Sequence, residues 1–131
     1  FQGVVASSGK ISVVLLEGIE PESVSKVLKI KSRLTKGKFD LSKKDGLPQV
    51  LLGIGLAKKF SLKPGDSVRV IITDTDGNGG RKVGKFIVSG LIDLGRHSIN
   101  ERYVLMDLKA EKKMAMMEKR MNNKGQGQGQ K

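Results

Sequence analysis

Along most of this chain apolar residues recur with the period of a strand. Val68, Val70 and Ile72 alternate with Arg69, Ile71 and Thr73, which predicts a strand over 67–73. The β-branched segments 4–6 and 11–17, separated by Ser7-Ser8-Gly9-Lys10, predict a hairpin or a bent edge pair. Segment 49–52 follows Pro48 as a short buried strand. Segment 83–93 makes a long one, with Gly84 and Gly90 at bulge or close-approach points, and 103–106 a further one. The period changes to that of a helix in three places. Pro21 suits a first helical position, Glu22 complements a helix N-terminus, and Val24, Val27 and Leu28 share a face up to Lys31. Leu56 and Phe60 share one face of about two turns. Over 109–121, after Asp107 as a cap, Ala110, Met114, Met117 and Met121 form one stripe.

Between these elements the chain reads as turns. Lys63-Pro64-Gly65-Asp66 is a type II turn, since its third position needs positive φ. The Lys-, Gly- and Asp-rich stretch 32–47 reads as a surface loop pinned by Phe39 and Leu41, and 74–82 as a polar, Gly-rich hairpin tip.

The expected fold class is therefore α+β and β-rich: a mostly antiparallel sheet or partly closed barrel with two or three short helices. Its 131 residues suit one domain. We divide the chain into a purification-tag remnant (residues 1–3, whose Phe-Gln-Gly looks like the end of a viral protease site), a β-rich domain (4–108), an amphipathic helix (109–121) and a low-complexity tail (122–131). Aromatics are 4% with no Trp, so Val, Ile and Leu must build the core. Cysteine is absent, which removes disulfides, thiolate metal sites and Cys nucleophiles. No apolar run approaches the ~20 residues that span a bilayer.

The net charge of +12 raises a nucleic-acid reading. Residues 109–131, however, carry seven Lys/Arg against two Glu, so about five of those charges sit in the tail. The rest are interspersed with acids, which favours a solvated surface. Asp74-Thr75-Asp76-Gly77-Asn78-Gly79 has the first half of a calcium loop, but Lys82 and Lys85 stand at its ninth and twelfth positions, so no metal is expected. Gly53-Ile54-Gly55 opens like a dinucleotide fingerprint, yet Lys58 takes the place of the third glycine, and the glycines read as structural. His97, the only histidine, reads as a surface residue in a loop. Asp93, Glu101 and Asp107 read as caps and turn formers. No catalytic constellation and no cofactor are expected.

Taken in order, the motifs Leu16-Glu17-Gly18-Ile19-Glu20-Pro21, Leu51-Leu52-Gly53-Ile54-Gly55-Leu56-Ala57-Lys58-Lys59-Phe60, Leu62-Lys63-Pro64-Gly65-Asp66-Ser67-Val68-Arg69-Val70, Phe86-Ile87-Val88-Ser89-Gly90-Leu91-Ile92-Asp93 and Tyr103-Val104-Leu105-Met106 resemble the periplasmic region of LolC/LolE-type lipoprotein-releasing ABC-transporter permeases, within the wider MacB-like core-domain superfamily. The resemblance covers most of residues 4–114. It implies a domain inserted between two permease membrane helices on the periplasmic side of the bacterial inner membrane. Such a domain is paired with a second permease subunit and coupled indirectly to a cytoplasmic ATPase that performs the ATP hydrolysis. The domain itself is not an enzyme; it guides a lipoprotein or its periplasmic carrier. The hairpin at 74–82 departs from the family's longer Pro- and Met-containing hook and offers Asp74, Asp76, Asn78, Arg81, Lys82 and Lys85 as partner-contact residues. The turn-and-strand run 62–70 also resembles small swapped-hairpin or double-psi-type β-barrels, some of which bind nucleic acid.

Overall fold

The computed structural model describes residues 2–73 and 81–109. Eight strands and three short helices follow one another as β1 (Gln2–Ser7), β2 (Lys10–Ile19), α1 (Val24–Lys31), β3 (Leu34–Gly37), β4 (Lys43–Lys44), β5 (Leu47–Gly53), α2 (Ile54–Phe60), β6 (Ser67–Thr73), β7 (Arg81–Ile92), α3 (His97–Asn100) and β8 (Tyr103–Asp107). Six of the strands close into a mixed barrel in the order β7-β6-β1-β2-β8-β5, the ring completed by β5 against β7. The β-rich class thus holds, and the barrel is fully closed. Two of its six seams, β2–β8 and β5–β7, are parallel.

The pairings have an internal two-fold logic that the sequence does not announce. Each half is a hairpin, a crossover helix and a third strand: β1, β2, α1, β5 and then β6, β7, α3, β8. The third strand of each half lies parallel to the second strand of the other half. First strand meets first strand, and third meets third, antiparallel. Each half therefore supplies an edge that only the other half can pair, which leaves neither half stable as an open sheet.

Local chemistry sets the turns. Ser8 (φ 50°) and Gly9 (φ 77°) both take positive φ, as the tight turn of a two-residue hairpin requires. The expected type II turn is present: Gly65 has φ 99° and Asp66 N–H donates to Lys63 O at 3.0 Å. This turn is tied to β7 by Gly65 N–H to Val88 O (2.7 Å) and Val88 N–H to Asp66 O (2.8 Å).

Several expectations need correction. Gln2 and Gly3, set outside the fold above, belong to β1, where they pair with Leu15 and Val14. Helix α1 begins at Val24 with Ser23 as its N-cap, so Pro21 and Glu22 lie in the preceding turn. The 32–47 stretch is more than a loop, for β3 pairs with β7 and β4 with β5. Its anchors behave as expected: Leu41 is buried and Phe39 packs beside it. Gly90 marks a close approach, with a register shift between Val50 and Leu51 opposite it, whereas Gly84 lies in regular register opposite Val70. His97 opens α3 and is not in a loop. The Met stripe at 110–121 and the tail at 122–131 lie outside the described residues.

Two apolar clusters result. Inside the barrel, Val5, Val14, Leu16, Val50, Leu52, Val68, Val70, Phe86, Val88, Val104 and Met106 interdigitate, and α2 supplies Leu56, Ala57 and Phe60 to the same cluster. Outside, α1 and the 33–41 segment cover Leu51, Ile92, Tyr103 and Leu105 with Val27, Leu34, Phe39 and Leu41. Strand β5 is therefore buried on both faces, which is why its Val50-Leu51-Leu52 run does not alternate. Among the described residues, the wall formed by β2, β1, β6 and the first part of β7 has no such outer layer.

Candidate functional site

The bare half of the wall carries the chemistry. Alternation sends Val14, Leu16, Val5, Val70 and Phe86 inward and leaves Ile11, Val13, Leu15 and Val83 outside. Register aligns them: Val13 faces Val4, Val4 faces Ile71, and Ile71 faces Val83. The result is one apolar row across four strands, about 15 Å long at ordinary strand spacing. Ile11 is 73% exposed, Val13 61%, Val83 60% and Leu15 41%. Four large aliphatic side chains this open, joined across the sheet by the half-buried Val4 and Ile71, make a patch on the order of 300 Å², at the size where exposed apolar surface on a monomer is often functional.

The next row toward the β1–β2 turn is Ile11, Ala6, Arg69 and Lys85. Arg69 and Lys85 stand directly opposite each other, a like-charge juxtaposition that disfavours the pairing. Lys10 adds a third cation. Together with Ser7 and Ser67 these three line a cleft of about 520 Å³ between the hairpin turn and the β6–β7 ladder. Among the described residues Lys38 pairs with Asp40, and His97 Nε2 lies beside Glu101; neither contact involves this face. The acid on the outer face of β2 is Glu17, at its other end, where it hydrogen-bonds Tyr103; burial, and then this carboxylate, push the Tyr103 hydroxyl well above the usual tyrosine range.

Of the sequence-predicted contact residues, Asp74, Asp76 and Asn78 lie outside the described residues. Arg81 and Lys82 belong to β7, opposite Thr73 and Ile72, and not to the loop as expected. Lys85 is exposed and joins Arg69 in the basic row. Lys10, Arg69 and the apolar row were missed; only the register between distant strands brings them together.

The other singled-out residues resolve into structural roles. Asn100 is buried; its Nδ2 donates to Asp93 Oδ1 (2.9 Å) and its Oδ1 accepts from Leu94 N–H (2.8 Å). Gly95 N–H donates to the same Asp93 oxygen at 2.8 Å. These bonds, that to Asn100 first, hold the Asp93 carboxyl below the usual range, with Arg33 assisting. Its folded-state pKa being depressed, Asp93 adds stability above the ordinary value of 3.8 that is lost as pH falls through and below it. Asp93→Asn is expected to lower the urea midpoint near neutral pH, the gap to the parent chain closing in acid; a gap that persists in acid would assign the loss to packing. His97 is exposed on α3, its Nε2 2.9 Å from Glu101 Oε1. Asp107 Oδ1 accepts from Lys109 N–H at 2.8 Å; the run that Asp107 is expected to cap lies outside the described residues. Among the described residues no three His, Asp or Glu side chains gather as a metal site.

The chain matches no protein-family model and no curated protein sequence.

Proposed function

We propose that this chain is a non-catalytic extracytoplasmic domain of an ABC-transporter permease of the lipoprotein-releasing type, which binds or guides lipoprotein cargo or its carrier and transmits motion driven by ATP hydrolysis in a separate subunit. The observation that carries this reading is mechanical. The ordered motifs that resemble the family are the parts that close the barrel: the β5–α2 corner, the turn before β6, and the cores of β7 and β8. From that barrel β6 and β7 run as the longest antiparallel ladder, seven residue pairs ending at Thr73 opposite Arg81, against six pairs in β1–β2. A ladder anchored by the inward-facing Val68, Val70 and Phe86 is a stiff support for a contact loop. Arg81, Lys82 and Lys85 on β7, together with Asp74, Asp76 and Asn78, are the residues assigned to that contact. No cofactor is needed for a lever. In this reading the domain sits on the periplasmic side of the inner membrane, beside a paired permease subunit.

The test is the complete reading frame around this segment. We expect an apolar stretch of about twenty residues on each side and a neighbouring gene for an ATPase with a phosphate-binding loop. A frame lacking both stretches overturns the proposal.

One observation favours a second reading. Closure of six mixed strands into a small barrel is the form expected if the chain were a nucleic-acid-binding barrel of the swapped-hairpin or double-psi class. Binding of duplex DNA that weakens steeply with added salt would support it.

A further inference from the structure

We propose that the wall formed by β2, β1, β6 and the start of β7, which no other described residue covers, is a docking surface for an anionic lipid bilayer. The argument is independent of the permease reading and rests on how two rows lie side by side. In the apolar row Val13, Val4, Ile71, Val83, with Ile11 and Leu15 on β2, Val4 and Ile71 are half-buried and the other four are exposed, while the opposite half of the barrel has its own outer layer from α1 and the 33–41 segment. Two residues further along the strands, about 7 Å away, lies the basic row of Arg69 and Lys85 with Lys10 at the turn.

Each row alone has an ordinary explanation; their adjacency selects the partner. A second copy of this chain would bring cation against cation across the interface, in a chain of net charge +12. A bilayer containing acidic phospholipid offers both complements within the same few ångströms: phosphates for the three cations and acyl-chain tops for the valines and isoleucines. Phosphate also resolves the direct opposition of Arg69 and Lys85, which no carboxylate on this face relieves among the described residues. The hydroxyls of Ser7 and Ser67 line the same cleft and can donate to phosphate oxygens.

The experiment is co-sedimentation of the full chain with equimolar phosphatidylcholine–phosphatidylglycerol vesicles and with phosphatidylcholine vesicles alone. Binding is expected to the mixed vesicles and to fall steeply with salt. Arg69→Gln and Lys85→Gln should each weaken it about fivefold, and Val13→Ser with Val83→Ser about tenfold together. Lys85→Glu serves as the folding control. It turns the repulsive cross-strand pair into an attractive one, so it should fold at least as stably as the parent while losing vesicle binding. Absence of binding to the mixed vesicles would overturn the proposal, as would binding indifferent to the two valines. Retention of duplex DNA at physiological salt, dependent on Arg69 and Lys85 but not on Val13 and Val83, would assign the face to nucleic acid and overturn it equally.

Discussion

Replacing Gly53 by alanine is expected to destabilise the barrel by about 3 kcal/mol, out of the roughly 5–15 kcal/mol by which a domain of this size is stable. The cause is steric rather than conformational. Gly53 has φ −61° and ψ 144°, which any residue adopts. A Cβ at this position, however, would fall onto the backbone of Asn100, with its carbonyl oxygen nearest and its C and Cα at 2.9 Å. Backbone cannot rotate out of the way as a side chain can. Moving Asn100 would pull on Asp93 and Leu94 through its two side-chain hydrogen bonds. Two residues on, Gly55 meets the same segment less severely, at 3.0 Å from Glu101 Cγ and 3.1 Å from the Asn100 carbonyl. There the gain in helix propensity of alanine over glycine, about 1 kcal/mol, offsets much of the crowding. Urea unfolding of the two variants measures the contrast. Equal small losses would mean that α3 can shift off the β5–α2 corner, and that the Gly-Ile-Gly motif does not lock the two halves of the barrel together.

That motif illustrates what a sequence can and cannot disclose. Gly53-Ile54-Gly55 between strand and helix was legible as a structural glycine pair, but its partner was not, because Asn100 ends a helix of four residues, too short to carry a periodic signal. Strands β1, β2, β5, β6, β7 and β8 were legible because each is a run rich in β-branched and other apolar residues. Strands β3 and β4 were not, since Leu34-Thr35-Lys36-Gly37 and Lys43-Lys44 are edge segments of two to four residues whose side chains are mostly exposed. A partly closed barrel was one of the two forms expected, but its full closure was not legible, because parallel seams join segments far apart in the chain and leave no local trace. The same limit hid the candidate surface. Ile11, Val13 and Leu15 are as apolar as Val14 and Leu16, so composition cannot say which set faces out. Arg69 and Lys85 become neighbours only once the β6–β7 register is known. Lys85 alone of the basic row was singled out, because it flanks a loop that the chain marks with glycine and aspartate.

The inside-out assignment of this wall has its own test, in Phe86→Ala against Val83→Ala. Both residues lie on β7, three positions apart, and both lose methyl, methylene or ring carbon on truncation. Phe86 is 2% exposed, the largest of the fully buried side chains, packed in the barrel opposite Val68. Removing its ring leaves a void in an interior too narrow to collapse around it, at an expected loss of about 4 kcal/mol. Val83 is 60% exposed, so its truncation should cost under about 0.5 kcal/mol. The ratio matters more than either value, because a shift of one residue in the β6–β7 register would exchange the faces of the whole strand. Comparable losses for the two variants would refute the register and dissolve the apolar row with it. A large loss at Phe86 beside a negligible one at Val83 would mean that Val83 is dispensable for folding. Its exposure then calls for a partner, which is the premise of the vesicle experiment.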